Sequence, residues 1–75
     1  MTSRSIEWGK RIKSAREAKN FSQTQLAAMV GVTQGAVGHW EVGRSTPRDE
    51  MRMRLSIVLG VDHADLFPLM LGAAA

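Results

Sequence analysis

The chain has 75 residues and no cysteine, and its ten Lys and Arg outnumber its seven Asp and Glu, for a formal charge of +3. Domains usually contain about 100–200 residues, so this length allows one small domain and leaves little room for a large active-site cleft. The lack of cysteine excludes disulfides and thiolate metal sites, and two histidines alone make a poor metal site. The N-terminal stretch is too polar for a signal peptide, and the apolar C-terminal stretch is too short to span a bilayer. We therefore expect a cytoplasmic protein without a metal, cofactor or membrane partner.

The charge is unevenly distributed along the chain. Residues 1–48 carry eight basic and three acidic side chains, a net +5, whereas residues 49–75 carry two basic and four acidic ones, a net −2. This asymmetry favours an anionic ligand on the first part and a protein contact on the second. An ordinarily solvated surface is the alternative.

Apolar residues recur at helical spacing between clear stop signals, which predicts an all-α protein. Ser5 is the expected N-cap of the first helix, and Asn20 is its expected end because Asn tolerates the left-handed backbone of a helix terminus. Ser22 and Thr33 are placed to cap the second and third helices, with Gly31 as the stop between them. The five predicted helices cover residues 6–19, 23–30, 34–41, 48–59 and 62–67.

Residues 51–59 fit two patterns. Met51, Met53 and Leu55 alternate with polar residues as in a strand, yet Met51, Leu55 and Leu59 also form a helical stripe. We favour a helix, because Met, Arg and Leu are good helix formers and a lone strand would leave its backbone groups unpaired.

The second and third predicted helices have the residue spacing of a helix-turn-helix. Counted from Gln23, the fifth position is Ala27, which is small enough for two helices to cross closely, and the ninth is Gly31, which allows a positive φ in the turn. Apolar residues at five further positions would fill the core between the helices: Leu26, Val30, Val32, Val37 and Trp40. Seven fitting positions in one register are unlikely to arise by chance.

On these residues the chain resembles the phage repressor and Cro-like family of helix-turn-helix regulators. The matching positions extend along most of the chain: residues 9–13, Arg16, 22–23, 26–27, 31–32, Val37, 40–41, Gly43, Pro47, 59–61 and 65–66. The resemblance implies a compact five-helix domain, usually dimeric, that binds a two-fold operator in double-stranded DNA and acts as a repressor. The third helix would enter the major groove, and the second would lie across the phosphates.

The resemblance also implies which residues contact DNA. Gln23 would donate to a phosphate at the start of the second helix, and Gln34 would pair with an adenine. The other positions facing the bases would be Gly35, Ala36, Gly38 and His39. The other phosphate contacts would be Thr33, Lys10, Arg11, Lys13, Arg44 and Arg48. Each of them is alternatively an ordinary solvated residue.

Two glycines depart from the family's pattern. Gly35 stands where family members often place a base-reading side chain, and Gly38 is a second glycine in the same helix. Each costs about 0.5–1 kcal/mol relative to Ala. Our hypothesis is that the helix backbone approaches the DNA closely here, that Ala36 touches a thymine methyl group, and that part of the specificity comes from DNA shape.

The remaining assignments concern structure. The resemblance implies that Arg16 and Glu41 form an ion pair between the first and third helices. Large apolar residues are concentrated near the C-terminus, including an apolar tail at residues 68–75, and they are difficult to bury in one small domain. We therefore predict a dimer interface rather than intramolecular packing. Its residues would be Ile57, Leu66, Phe67, Leu69 and Met70.

Two other functions remain open from the sequence. One is an antitoxin-like module that uses the apolar tail to bind another protein, and the other is the DNA-binding domain of a longer regulator. An enzyme is not expected, because the chain has no Ser-His-acid spacing, no phosphate-binding loop and no cluster of metal ligands. Nothing in the sequence indicates a pocket for a small-molecule ligand.

Overall fold

The computed structural model describes residues 3–69, and every regular element in that part of the chain is an α-helix. The helices are α1 (Ser3–Ala18), α2 (Gln23–Val30), α3 (Gln34–Glu41), α4 (Asp49–Leu59) and α5 (His63–Leu66). The segment that fitted both a strand and a helix is thus helical, and the predicted all-α class is confirmed. No helix within residues 3–69 is both long and apolar enough to cross a membrane.

Side-chain caps define where α2 and α3 begin. The Ser22 hydroxyl accepts a hydrogen bond from the Gln25 amide at 2.9 Å, and the Gln25 side chain accepts one from the Ser22 amide at 2.7 Å. The Thr33 hydroxyl accepts from the Ala36 amide at 3.2 Å. Gly31 ends α2 with φ of +80°, a left-handed conformation that glycine adopts without strain. The bounds of both helices therefore coincide with those predicted from the sequence.

The first and last helices differ from the prediction at their ends. α1 begins at Ser3, so Ser5 lies inside its first turn and is not the N-cap. The guanidinium of Arg4 lies 5.5 Å from the Trp8 ring one turn later, a cation–π contact that favours this earlier start. Asn20, with φ of +60°, follows the C-terminus as expected. α5 is a single turn, shorter than the predicted 62–67.

One core is formed by residues from all five helices. Trp8 is central to it, since its ring packs edge-on against Phe67 with centroids 5.2 Å apart and its indole N–H donates to the Pro68 carbonyl at 3.0 Å. The buried apolar residues are Trp8, Ile12, Leu26, Ala27, Val30, Val37, Trp40, Leu55, Leu59, Leu66 and Phe67. The apolar positions that sequence spacing assigned to the helix-turn-helix core are thus buried, except Val32, which is partly buried against it.

The burial of α5 corrects the predicted dimer interface. Leu66 is 1% exposed and Phe67 is 3% exposed, so both belong to the core of their own chain and the prediction for them is wrong. Intramolecular packing is possible because α5 folds back on α1 and α4. Ile57 and Leu69 remain 75% and 72% exposed. Met70 lies outside the described residues.

The backbones of α1 and α3 pack closely against each other at Gly9. A Cβ atom added to this buried glycine would lie 2.3 Å from the Trp40 carbonyl oxygen and 2.8 Å from that of Glu41. These are backbone atoms, which cannot rotate away as a side chain does. Gly9 therefore sets the distance between the two helices, and with it the position of α3.

Candidate nucleic-acid interface

The N-terminal ends of α2 and α3 lie side by side on one surface. The Gln34 side-chain nitrogen donates to the Gln23 side-chain oxygen at 2.6 Å, although the residues are eleven positions apart. Both are the first residues of their helices, where backbone N–H groups lack intrahelical partners and the helix dipole favours an anion. The fold therefore brings together the predicted phosphate-contacting and base-reading glutamines.

Behind this pair lies the ion pair that the resemblance implied. Arg16 in α1 contacts both carboxylate oxygens of Glu41 in α3, with Nε 2.6 Å from Oε2 and Nη2 3.1 Å from Oε1. Gln23 donates through its side-chain nitrogen to the same Oε1 at 3.0 Å. The bonds thus run without interruption from Arg16 through Glu41 and Gln23 to Gln34, and we call these four residues the glutamine relay.

The inner end of the glutamine relay is shielded from water. The Glu41 side chain is 2% exposed and the Arg16 side chain 11%. Arg16 also donates to the Phe21 carbonyl at 2.7 Å, which connects α1 to the segment before α2. The hydrogen bond to Glu41 raises the pKa of Arg16 against the opposing effect of burial, so the arginine remains charged. Three helices are held in register by this pair.

The outer face of α3 is nearly free of large side chains. Gln34, Gly35 and His39 are exposed, and Ala36 and Gly38 are partly buried. A Cβ atom at Gly35 would meet nothing closer than 3.9 Å, and one at Gly38 nothing closer than 3.7 Å. Neither glycine is therefore required by the packing of the protein itself, in contrast to Gly9.

The predicted phosphate-contacting cations do not all occupy similar positions. Lys10, Lys13, Arg44 and Arg48 are exposed. Arg11 is exposed as well, but it also donates to Glu7 at 2.9 Å and to the Asp65 carbonyl in α5 at 2.9 Å. It lies on the flank of α1 that meets α5, whereas Arg16 lies on the flank that meets α3. Arg11 therefore connects α1 to α5, and because its side chain is still 43% exposed its assignment to a phosphate stays a prediction.

Sequence reasoning missed several contacts that support the interface. It did not find the link from Gln23 to Glu41, or the contact of Arg52 with the Pro47 carbonyl at 2.7 Å and with the Trp8 ring at 5.0 Å. The one sequence feature that pointed to the relay is that Gln23 and Gln34 are the first residues of two consecutive helices. Among residues 3–69, no three His, Asp or Glu side chains converge as a metal site.

A protein-family model matches the segment that forms this surface. The model of the helix-turn-helix family, in its Cro/C1-type form, matches residues 12–66. The chain belongs to the helix-turn-helix family. The matched segment includes both helices of the motif and the whole relay, so the resemblance inferred from the sequence is confirmed.

Two curated proteins align with most of this chain. A prophage-derived, uncharacterised transcriptional regulator of Bacillus subtilis, YonR, is 35% identical over 54 residues, which cover 72% of this chain and 50% of the relative. Multiprotein-bridging factor 1 of Candida albicans is 34% identical over 56 residues, covering 75% of this chain and 37% of the relative. The chain therefore spans half or less of the length of these relatives.

Two solved structures have the same fold. The restriction-modification controller protein C.AhdI of Aeromonas hydrophila superposes with a TM-score of 0.82 at 27% identity, over 88% of this chain and all of the other. The clp gene regulator ClgR of C. glutamicum superposes with a TM-score of 0.81 at 24% identity, over 100% of this chain and 97% of the other, and indicates the fold alone. The arrangement of helices is thus shared with both of these solved structures.

Proposed function

We propose that this protein is a sequence-specific DNA-binding transcription regulator that places α3 in the major groove and represses by occupying its operator. The observation that carries the proposal is the Gln23–Gln34 pair at the adjoining ends of α2 and α3, held from behind by Glu41 and Arg16. Gln23 retains a second amide hydrogen for a phosphate, and Gln34 projects from the exposed face of α3. The proposed function is binding alone, with no catalytic step.

The charge distribution supports the same orientation on DNA. Lys10, Lys13, Arg44 and Arg48 are exposed, and they lie in the part of the chain that carries the net +5. We assign them to the phosphates on either side of the groove, together with the hydroxyl of Thr33 at the start of α3. Such contacts position a protein on DNA and leave the reading of sequence to the residues of α3.

We further propose that two copies bind together, each to one half of a two-fold operator. After the correction to α5, we assign this contact to Met53 and Ile57, one turn apart on the exposed side of α4, and to Leu69, which are three of the six large apolar side chains exposed among the described residues. Met53 and Ile57 are neighbours on one helix face, and neighbouring exposed apolar side chains mark an interface where they form a contiguous patch. The half-sites would be separated by about one helical turn, roughly 34–36 Å.

Selection of bound duplexes from a random DNA pool tests the proposal. We expect the full chain to enrich a two-fold motif, whose half-sites each contain a position that loses its preference in the variant Gln34→Ala. An enriched motif without a two-fold repeat would contradict the dimer and leave the DNA-binding assignment intact. Failure to enrich any sequence would contradict DNA binding itself and favour a protein-binding module.

The two glycines of α3 give a second prediction. We expect Gly35→Ala and Gly38→Ala each to raise the free energy of unfolding by about 0.5–1 kcal/mol, because both sites have room for a methyl group and alanine favours the helix. If the backbone of α3 approaches the DNA closely, the same variants should bind the selected operator more weakly. Urea unfolding and equilibrium DNA binding measure the two effects. Higher stability with unchanged affinity would refute close approach as the reason for these glycines.

A further inference from the structure

Glu41 lies in the buried part of the glutamine relay, two hydrogen bonds away from Gln34. We infer that Glu41 is a specificity-determining positioning residue, which makes Gln34 prefer adenine to guanine by setting the orientation of two side-chain amides in turn. The inference rests on the proposed function, since it concerns the base that α3 reads. It is carried by the three hydrogen-bond distances along the relay.

The first step is the orientation of the Gln23 amide. An ionised carboxylate accepts hydrogen bonds and cannot donate them, so Gln23 must turn its nitrogen towards Glu41, as the 3.0 Å contact has it. The carboxylate cannot rotate away, because Arg16 donates to both of its oxygens and the Glu41 side chain is only 2% exposed. The side-chain oxygen of Gln23 consequently faces α3.

The second step is the orientation of the Gln34 amide. The Gln23 oxygen accepts at 2.6 Å, so Gln34 must turn its nitrogen inwards. One amide hydrogen of Gln34 is used in this bond. Its second amide hydrogen and its carbonyl oxygen remain available to the groove, so Gln34 presents one donor and one acceptor.

The base edges differ in which of these groups they can use. Adenine offers N7 as an acceptor and the N6 amino group as a donor, which match one donor and one acceptor. Guanine offers two acceptors, N7 and O6, which require two donors. If both amides were reversed, Gln34 would accept from Gln23 with its oxygen and present two N–H groups, the arrangement that suits guanine. The direction of the hydrogen bonds along the relay therefore determines which of the two purines Gln34 prefers.

The variant Glu41→Gln tests this mechanism directly. Arg16 donates to Oε2 at 2.6 Å and to Oε1 at 3.1 Å, so we expect the new amide to keep its oxygen at the shorter bond, to give up the longer one, and to place its nitrogen towards Gln23. Gln23 and then Gln34 would reverse. The measurement is the affinity of the full chain for two duplexes that differ only by A or G at the position that Gln34→Ala identifies.

For the unaltered protein we expect adenine to be preferred about 5- to 150-fold, which corresponds to the discrimination of about 1–3 kcal/mol of a bidentate pair. In Glu41→Gln the preference should disappear or invert to guanine. An adenine preference that stays within twofold of the original would overturn the inference.

Glu17→Gln is the matched control. Glu17 also faces Arg16, at 4.0 Å, but it is 58% exposed and does not contact Gln23. The substitution removes the same charge near the same arginine, so the adenine preference should remain. Loss of the preference in this control would assign the effect to charge rather than to amide orientation and would overturn the inference.

A second variant keeps the inference testable if Glu41→Gln does not fold, which circular dichroism would show. Gln23→Met removes the middle of the relay from a half-buried site, and it should reduce the preference for adenine towards equality while weakening binding to both duplexes. An unchanged ratio of the two affinities would overturn the inference. Absence of binding by the unaltered chain to any selected duplex would contradict the proposed function instead.

Discussion

Replacing Arg16 with alanine is expected to lower the free energy of unfolding by about 3–5 kcal/mol, the usual cost of leaving one member of a buried ion pair without its partner. The carboxylate of Glu41, 2% exposed, would lose two of its three hydrogen bonds and keep only the one from Gln23. A core of this size supplies about 3–5 kcal/mol in total, so the variant should be largely unfolded at room temperature. Urea unfolding followed by circular dichroism measures the loss.

Arg11→Ala is the control for this prediction. Arg11 also pairs with a glutamate at 2.9 Å, but both side chains of that pair are more than one third exposed, and such pairs contribute about 1 kcal/mol or less. The double variant Arg16→Met with Glu41→Leu removes both charges and should recover most of the stability, since apolar residues can replace a buried ion pair at little cost. A loss below about 1 kcal/mol in Arg16→Ala would show that the burial of Glu41 carries no such penalty.

Replacing Gly9 with alanine should be the next most damaging change, with a loss of about 3 kcal/mol, at the upper end of the cost of overpacking. The new methyl group would lie 2.3 Å from the Trp40 carbonyl oxygen, so α1 and α3 would have to separate. Separation would also lengthen the bonds between Arg16 and Glu41. Thermal and urea unfolding measure the loss. It should exceed the stabilisation that alanine gives over glycine through its higher helix propensity.

Gly35→Ala makes the same chemical change in a helix where no atom obstructs the methyl group, and it is expected to stabilise. The two variants together separate helix propensity from steric conflict. If Gly9→Ala were as stable as the unaltered protein, the close approach of α1 and α3 would not depend on glycine.

Much of the helix-turn-helix was predictable because its signals are local. Ser22 and Thr33 cap α2 and α3, and Gly31 has the left-handed conformation that its position in the motif requires. A cap or a turn depends on residues within a few positions, so the amino-acid order is sufficient to place it. The same applies to the choice between strand and helix for residues 51–59, where helix-forming side chains pointed to the observed result.

The errors arose where the outcome depended on distant residues. Leu66 and Phe67 were predicted to form an interface because a count of apolar residues cannot show whether α1 and α4 leave space for them. In the same way, the sequence position of Arg11 does not reveal its hydrogen bond to the Asp65 carbonyl, 54 residues away. Both contacts form because α5 packs against the other helices, and residues distant in sequence determine that packing.

The sequence by itself determined the helix-turn-helix, its caps and turn, and the small set of side chains from which a DNA-reading surface is made, because these follow from the spacing of side chains along one segment. Only the tertiary structure decided how those side chains are oriented. Gln23 and Gln34 are flexible side chains whose amides have no preferred direction of their own. Their orientation depends on Glu41, and Glu41 is held by Arg16 from another helix at a distance set by Gly9.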